Sequence, residues 1–237
     1  MTVAGGGRTV VLMRHGHTLW NLTDRFTGWT DIPLTGVGIY EAEQAGRALA
    51  RAGLGVDEIH VSRLRRTHQA ALALLAGAGW TGVTIHSTWR LNERHYGALQ
   101  GMNKSEIFAV WGEQQSRAWW RGYHTPPPPL VPDDPRHPRF DCRHADLDPA
   151  LLPAGESLRD CQRRMLPYWL GVLVPRIESG CRVLVISHGN TLRGLVMHLE
   201  HLTAEAMEKV EIPSAVPLVY RLSADGAVVD KAQLDIG

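Results

Sequence analysis

The 237-residue sequence has little cysteine and none of the cysteine spacings of disulfide-rich or zinc-binding proteins. Its three cysteines, Cys142, Cys161 and Cys181, include no Cys-x-x-Cys pair and leave an odd number for disulfide pairing. A disulfide framework and a structural zinc site are therefore not expected. Unpaired thiols are typical of a reducing compartment, so we expect a cytoplasmic protein.

Long apolar runs and an excess of one charge are also missing. No stretch reaches the roughly 18 consecutive apolar residues of a membrane span. Residues 1–7 are small and glycine-rich, unlike the basic and apolar parts of a signal peptide. Lys and Arg number 25 and Asp and Glu 24, for a formal net charge of +1. We therefore expect no membrane or nucleic-acid partner, and an anion site would need a local cluster of cations.

A short apolar run at residues 10–13 leads directly into Arg14, His15 and Gly16. The run predicts a buried strand, and open α/β sheets bind ligands at the C-terminal edge of their strands. A neutral imidazole is a competent nucleophile, and a neighbouring guanidinium neutralises phosphoryl oxygens. The tripeptide therefore indicates phosphoryl transfer through His15. By itself it is a weak signal, because most histidines at strand ends are structural.

Two further junctions between a strand and a helix carry polar or cationic residues. A second expected strand, residues 182–187, leads into His-Gly-Asn at residues 188–190. Ser62, the expected N-cap of a helix that runs to about Leu75, opens a segment with three arginines. Helix N-termini favour anions, so this segment is a second candidate cation cluster. A solvated basic helix face would give the same pattern.

The segment at residues 90–101 is crowded with ionisable groups and interrupted by two glycines. Such a segment is not expected to pack as core, so it predicts a site loop in which Glu93 donates and accepts protons. A helix that begins at Lys104 and a four-proline tract at residues 126–129 follow it. We expect residues 102–152 to form a lid over the sheet and not a separate domain.

Short strands that alternate with amphipathic helices predict a single α/β domain over residues 1–237, with a mostly parallel central sheet flanked by helices. One helix is capped by Thr35, and a longer one at residues 156–177 is kinked by Pro167. Their expected inward-facing residues are Tyr40, Ala42, Ala45, Ala48 and Leu49 in the first helix and Leu158, Cys161, Met165, Trp169 and Val172 in the second. The histidines without a motif around them are expected to be packed or solvated: His60, His68, His86, His198 and His201.

Taken together, these segments resemble the histidine phosphatase superfamily and, more narrowly, its bisphosphoglycerate-dependent phosphoglycerate mutase branch. The resemblance covers roughly residues 8–222. The strings that carry it are RHG at 14–16, WNL at 20–22, RFTGWTDIPLT at 25–35, LNERHYGALQG at 91–101, TPPPP at 125–129 and VPLVY at 216–220. The loop around Glu93 and the proline tract are specific to the mutase branch, whereas Arg-His-Gly alone marks the superfamily.

The resemblance implies a three-layer, phosphoglycerate-mutase-like α/β sandwich. It also implies a phosphohistidine at His15 that interconverts 3- and 2-phosphoglycerate in glycolysis or gluconeogenesis, primed by 2,3-bisphosphoglycerate and without a metal. Arg14, Arg66 and His188 would surround the transferring phosphoryl group, and Glu93 would carry the proton. The positions that match substrate contacts are Thr18, Asn21, Thr27, Gly28, Tyr96, Lys104, Arg121, Gly189 and Asn190. Family members are often dimers or tetramers, and we expect a homodimer.

The sequence departs from the family pattern in the lid and next to the nucleophile. His17 stands where the mutases usually have a glutamate, and Trp120 replaces one of two adjacent arginines. Cys142 interrupts an arginine pair and leaves Arg143 alone. Fewer lid cations weaken the binding of a bisphosphate more than that of a monophosphate. The alternatives are therefore a histidine phosphatase that hydrolyses small phosphate monoesters with the same site, and a non-catalytic protein that binds phosphorylated metabolites.

Overall fold

The computed structural model describes residues 8–236. Residues 1–7, on which the signal-peptide expectation rests, lie outside the described residues. A six-stranded sheet with the strand order β3-β2-β4-β1-β5-β6 forms the centre of the described chain. Its strands are β1 Arg8–Arg14, β2 Glu58–Val61, β3 Thr84–Ser87, β4 Val183–Ser187, β5 Leu218–Leu222 and β6 Val228–Gln233.

The four strands from β3 to β1 run parallel, and β5 and β6 are antiparallel to their neighbours. In the central pair, Arg14 of β1 lies opposite Ser187 of β4. The two strands therefore end at the same level, and the residues that follow them meet at the C-terminal edge of the sheet. This confirms the predicted α/β class with a mostly parallel sheet.

Helices cover both faces of the sheet. The helices are α1 Leu19–Leu22, α2 Gly36–Arg51, α3 Arg65–Ala78, α4 Lys104–Trp111, α5 Glu113–Trp120, α6 Leu158–Tyr168, α7 Val174–Glu178, α8 Gly189–Leu199 and α9 Ala204–Glu208. Alternate residues of β1 face opposite ways: Val10 and Leu12 pack with α6 and α8, while Val11 and Met13 pack with α2 and α3. Among residues 8–236, none of these helices has the length and apolar character to cross a membrane.

The helix α3 begins later than predicted, and Ser62 is not its N-cap. The N-cap residue is Leu64, which makes no side-chain capping bond. The Ser62 hydroxyl accepts from the Leu64 amide (3.1 Å) and lies 2.8 Å from Nε2 of His188. Serine is a favoured N-cap residue, but here the serine hydroxyl is hydrogen-bonded to His188, which follows β4.

Two inward-facing predictions were wrong. Tyr40 on α2 is exposed, whereas Ala42, Ala45, Ala48 and Leu49 are buried with Gly38 and Gly46. The long helix near Pro167 contains a π-helical turn, Trp169–Leu173, between α6 and α7. The wider turn changes the side-chain phase, so Leu173 is buried and Val172 points outward.

The segment at residues 90–101 packs as interior, contrary to the expectation that it would stay out of the core. It forms two short 3₁₀ turns, Trp89–Leu91 and Gly97–Leu99. Arg94 is fully buried because it donates to the carbonyls of Glu156 (2.7 Å) and Trp119 (2.5 Å). Buried polar groups are stable when all their hydrogen bonds are made. The polar loop is therefore an anchored part of the site.

Candidate active site

The ends of β1 and β4 place two histidines side by side. His15 follows β1, and its backbone amide donates to the carbonyl of Ser187 at the end of β4 (3.1 Å). His188 follows β4 at the N-cap position of α8. The two imidazole rings meet edge to face with centroids 5.0 Å apart, and both residues are buried.

The hydrogen bonds of His15 determine which ring nitrogen carries the lone pair. Nδ1 lies 2.7 Å from the carbonyl oxygen of Gly16. A carbonyl only accepts, so Nδ1 carries the proton. Nε2 then accepts a hydrogen bond from Nε of Arg66 over 3.2 Å. Nε2 is therefore the nucleophilic atom of a neutral imidazole.

Arg66 lies between the two histidines. Its Nε also points at Nδ1 of His188, 3.2 Å away, which places the proton of His188 on Nε2, beside the Ser62 hydroxyl. The terminal nitrogens of Arg66 donate to the carbonyls of Thr30 (2.9 Å) and Gly28 (2.8 Å). These bonds hold the guanidinium plane against the nucleophile.

Burial and nearby cations keep both imidazoles uncharged. Burial, with a smaller effect from Arg66 and Arg14, holds the pKa of His15 well below its usual range. Burial and Arg66 likewise lower the pKa of His188. Burial also lowers the pKa of Arg66 to about 10, which leaves the guanidinium charged at neutral pH. The site holds two neutral bases beside permanent positive charges.

The cavity beside His15 is strongly cationic. Its charged lining consists of Arg14, Arg25, Arg66, Lys104, Arg121 and Arg193, with Glu93 and Glu211 as the acids. Within residues 8–236, the Nε atoms of Arg14 and Arg193 are buried and have no hydrogen-bond partner. Buried unpaired donors are unfavourable. The lining therefore suits a small anion with several charges, such as a phosphate ester.

The carboxylate of Glu93 lies in the same cavity and is held by backbone amides. Its Oε1 accepts from the amides of Arg94 (2.8 Å) and Asn190 (3.2 Å). Its own carbonyl accepts from the indole of Trp29 (2.5 Å) and from Arg164 (3.1 Å). A carboxylate positioned in this way can exchange a proton with the hydroxyl of a bound molecule.

Residues 102–152 contribute Lys104, Trp120 and Arg121 to the cavity lining. Nζ of Lys104 and the guanidinium of Arg121 lie 5.0 Å and 4.5 Å from the ring centroid of Trp120. Each cation also has an acidic partner: Lys104 pairs with Asp24 (2.5 Å) and Arg121 with Glu211 (2.7 Å). The indole therefore holds two cations in place without adding a charge.

The cavity lining includes every predicted site residue except His188 and Thr18. His188 contacts the lining through Arg66. Thr18 is buried, caps α1 and donates its hydroxyl to Oδ1 of Asn21 (2.8 Å). Thr18 therefore orients Asn21, which does line the cavity. The remaining residues that the cavity brings together are Arg14, His15, Thr27, Gly28, Arg66, Glu93, Tyr96, Lys104, Arg121, Gly189 and Asn190.

Sequence reasoning missed three charged residues of the cavity: Arg25, Arg193 and Glu211. Arg193 lies three positions after Asn190, and its NH1 donates to Oδ1 of that asparagine (3.1 Å). The i, i+3 spacing on α8 is a signal that could have identified it. Arg25 lies inside one of the strings that resemble the family. No local pattern points to Glu211.

The other charged residues that the sequence singled out lie outside the cavity lining. His17 binds Glu41 through both its backbone amide (2.9 Å) and its Nδ1 (2.6 Å). Arg63 pairs with Asp146, and Arg65 pairs with Asp31. The sequence alone assigns no role to His17. In the structure, His17 connects the loop after β1 to α2 through Glu41.

Gly28 is the position where the site requires a glycine. Its φ of +53° is unfavourable for other residues, and an added Cβ would lie 2.2 Å from Oε1 of Gln100. The same Gln100 oxygen accepts from the amide of Trp29 (2.6 Å). The tight approach brings the Gly28 carbonyl onto Arg66 and closes the cavity wall.

Comparisons with known proteins agree with this site. The family model of the histidine phosphatase superfamily (branch 1) matches residues 10–234. A 2,3-bisphosphoglycerate-dependent phosphoglycerate mutase from Nitratidesulfovibrio vulgaris is 49% identical, covering 97% of this chain and 91% of its own length. The enzyme of the same name from Thermobifida fusca is 46% identical, covering 92% of this chain and 88% of its own length.

Solved structures with lower identity share the fold. A mycobacterial glucosyl-3-phosphoglycerate phosphatase in complex with VO3 superposes with a TM-score of 0.72 at 23% identity, covering 96% of this chain and 98% of that chain. The protein YhfR of Bacillus stearothermophilus has a TM-score of 0.71 at 23% identity, with 93% of both chains covered. At this level of identity the likeness concerns the fold.

Proposed function

Because the chain belongs to the histidine phosphatase superfamily, we propose that it is a phosphoglycerate mutase that interconverts 3- and 2-phosphoglycerate through a phosphohistidine at His15. The observation that carries the proposal is the neutral His15 imidazole, whose Nε2 lies beside Arg66 in a cation-lined cavity. Two relatives that match over nearly the whole chain are named as 2,3-bisphosphoglycerate-dependent mutases. Their name supports both the substrate and the priming bisphosphate.

The reaction divides one transfer between two molecules into two steps on His15. In the first step Nε2 attacks a phosphorus of 2,3-bisphosphoglycerate, and the bond between that phosphorus and the glycerate oxygen breaks. Protonated Glu93 gives its proton to that oxygen. In the second step Glu93 takes the proton from the hydroxyl of a monophosphoglycerate, and that oxygen takes the phosphoryl group from Nε2. Arg14, Arg66 and His188 stabilise the phosphoryl charge in both steps.

The rest of the cavity binds the carboxylate and the second phosphate. The residues to which we assign this binding are Asn21, Thr27, Gly28, Tyr96, Lys104, Arg121, Gly189 and Asn190, and Thr18 positions Asn21. The unpaired Nε atoms of Arg14 and Arg193 fit a bisphosphate, which offers enough oxygens to satisfy both. We assign residues 102–152 the role of a lid, and none of these steps needs a metal.

Incubation with 2,3-bisphosphoglycerate tests the nucleophile. Wild type is expected to form an acid-labile, alkali-stable phosphoenzyme, because N–P bonds of this kind are stable to base, and His15→Ala is expected to form none. The adjacent histidine provides a matched control, since His17→Ala removes an imidazole outside the cavity lining and should still form the phosphoenzyme. A phosphoenzyme in His15→Ala, or none in wild type, contradicts the proposal.

A second candidate function is hydrolysis of phosphate monoesters with the same nucleophile. The observation that favours it is Trp120, which places an uncharged ring between Lys104 and Arg121 in the lid. Isomerisation of 3-phosphoglycerate and release of phosphate should be measured on one preparation. Isomerisation is expected to dominate, and faster phosphate release would favour the phosphatase.

The variant Trp120→Arg tests how the lid binds the bisphosphate. An added cation at this wall is expected to lower the bisphosphate concentration that gives half-maximal stimulation by about five-fold, the effect of roughly one exposed ion pair. Trp111→Arg adds the same charge at an exposed lid residue outside the cavity lining and should leave that concentration unchanged. Equal effects of both variants would show that net charge alone is responsible.

We further propose that the enzyme acts in the cytoplasm as a homodimer on small phosphorylated substrates. Sedimentation of the purified protein tests the assembly, because a monomer and a dimer of a 26.2 kDa chain differ two-fold in mass.

A further inference from the structure

A second cluster of ligating side chains lies on the outer strands of the sheet, away from the His15 cavity. Glu58 and His60 are on β2, and His86 is on β3 directly opposite His60. Their ligating atoms all lie within 4.8 Å of one another. None of the three lines the cavity beside His15. Among residues 8–236, these are the His, Cys, Asp or Glu side chains that lie close enough together, three or more in a group, to hold one ion.

The spacing of the three side chains matches a zinc coordination shell. Nε2 of His60 is 3.3 Å from Oε2 of Glu58, and Nε2 of His86 is 3.7 Å from Oε1. Zn²⁺ binds imidazole nitrogen and carboxylate oxygen at about 2.0–2.2 Å in a tetrahedron, which places neighbouring ligand atoms about 3.3 Å apart. The two rings stack with centroids 4.8 Å apart and an interplanar angle of 19°, so the half-exposed His86 ring must turn for both lone pairs to meet one ion.

His60 also contacts a tyrosine outside the cluster. Nδ1 of His60 lies 2.8 Å from the hydroxyl of Tyr168, which can either donate or accept. Without an ion, Nε2–H donates to Oε2 of Glu58 over 3.3 Å; when Nδ1–H donates to Tyr168 instead, the lone pair of Nε2 is available to an ion. Metal-binding histidines are oriented in this way by a partner on the second nitrogen.

Solvent reaches the cluster from one side. His60 is buried and Glu58 nearly so, but the His86 side chain is 43% exposed. Arg176 pairs with Glu58, and this arginine side chain is 49% exposed. Arg176 donates two hydrogen bonds to the nearly buried Glu58 carboxylate, so this carboxylate needs a positive partner, and a divalent cation would supply it when Arg176 leaves. An ion can therefore enter from the His86 side and replace Arg176 as the counter-charge of Glu58.

We propose that Glu58, His60 and His86 form a binding site for one Zn²⁺ ion on the outer strands, separate from the phosphoryl-transfer site. The fourth coordination position faces solvent and is open to water. Two imidazoles and one carboxylate suit zinc, whereas Mg²⁺ prefers a shell of oxygens. The bound ion connects the edge strand β3 to β2 and stabilises that edge of the sheet.

Titration calorimetry of the metal-free protein with ZnCl₂, in a buffer without phosphate or other chelators, tests the site. Wild type is expected to bind one equivalent of Zn²⁺ and not Mg²⁺. His86→Gln, which changes an exposed side chain, and Glu58→Gln should both lose this binding. Circular dichroism of the metal-free variants establishes that they fold as wild type does. His15→Ala and His68→Gln are controls for the active-site imidazole and for a surface imidazole outside the cluster, and both should retain the binding.

Two further variants separate a metal site from a structural ion pair. Arg176→Gln frees the Glu58 carboxylate and is expected to tighten zinc binding about five-fold. Tyr168→Phe removes the partner of Nδ1 and is expected to weaken it about ten-fold while leaving all three ligands in place. The proposal is overturned if wild type does not bind Zn²⁺, if His86→Gln binds it as wild type does, if His15→Ala loses it, or if Arg176→Gln fails to tighten it.

Discussion

At the scale of single residues, the neighbours of His15 choose one tautomer and one charge state. The Gly16 carbonyl accepts a hydrogen bond from Nδ1–H, and Nε of Arg66 donates to the lone pair of Nε2. The same arginine is placed to bind the oxygens of a phosphoryl group that arrives at Nε2. In the proposed mechanism, one guanidinium thus orients the nucleophile before the reaction and supplies positive charge during it.

The proposed role of Glu93 as proton carrier can be tested without disturbing the fold. Glu93→Gln keeps an oxygen for the amides of Arg94 and Asn190 but cannot accept a proton. We expect kcat for isomerisation to fall by roughly 10²- to 10⁴-fold, the usual contribution of a positioned acid and base. The control Glu113→Gln changes an exposed acid on α5 and should leave kcat unchanged. A Glu93→Gln enzyme with near wild-type kcat would assign the proton to another group.

At the scale of elements, α6 anchors the polar loop at residues 90–101 through Arg164. Arg164 on this helix is buried and pairs with Glu156, which is itself buried. Its guanidinium also donates to the carbonyls of Trp89 (3.0 Å) and Glu93 (3.1 Å). A polar loop can lie in the interior because this one side chain satisfies several of its carbonyls at once.

Removing Arg164 should destabilise the protein strongly. Arg164→Met leaves Glu156 as a buried unpaired charge and the loop carbonyls without donors, so we expect the free energy of unfolding to fall by about 3–5 kcal/mol. Arg163→Met changes the exposed neighbour on the same helix and should cost at most about 0.5 kcal/mol. Urea unfolding of both variants measures the difference, and similar values for the two would contradict the role of Arg164.

At the scale of the whole molecule, several histidines are buried in their neutral form. Burial lowers the pKa of His60 to about 4, of His95 to about 3 and of His144 to about 4. His15 and His188 are shifted in the same direction. A free imidazole has a pKa of about 6.5. At pH values between the lowered pKa values and about 6.5, these histidines are protonated in the unfolded chain and neutral in the folded one, so the unfolded chain binds more protons. Stability must therefore decrease as the pH falls below about 6.5.

This sign gives a measurable pH dependence. At about pH 5, each of His60 and His95 is expected to cost about 2 kcal/mol relative to about pH 7. Paired carboxylates act at lower pH, since Arg182 holds the pKa of Asp57 at about 2. Urea unfolding across this range tests the expectation. Added salt should change the effect little, because desolvation and not charge repulsion is its main cause. A free energy of unfolding that stays constant from about pH 7 to about pH 5 contradicts it.

Local patterns predicted the central strands and most of the site. The run before Arg14 and the run before His188 are β1 and β4, and nearly all of the proposed site residues line one cavity. Two of the failures share a cause. Ser62 and Val172 were assigned by local rules, but His188, which follows β4, contacts the serine hydroxyl, and a π-helical turn shifts the valine outward. Neither a distant partner nor an inserted residue in a helix turn leaves a local periodic signal.

The sequence by itself determined the proposed chemistry, because the proposed nucleophile, cations and proton carrier are properties of residue types and short strings. The tertiary structure alone decided their arrangement. His15, Arg66 and His188 are far apart in the chain and meet because β2, β4 and β1 are neighbours in the sheet. The same parallel pairing sets His60 opposite His86. Strand order and register depend on how whole faces of the sheet are buried, which no short segment encodes.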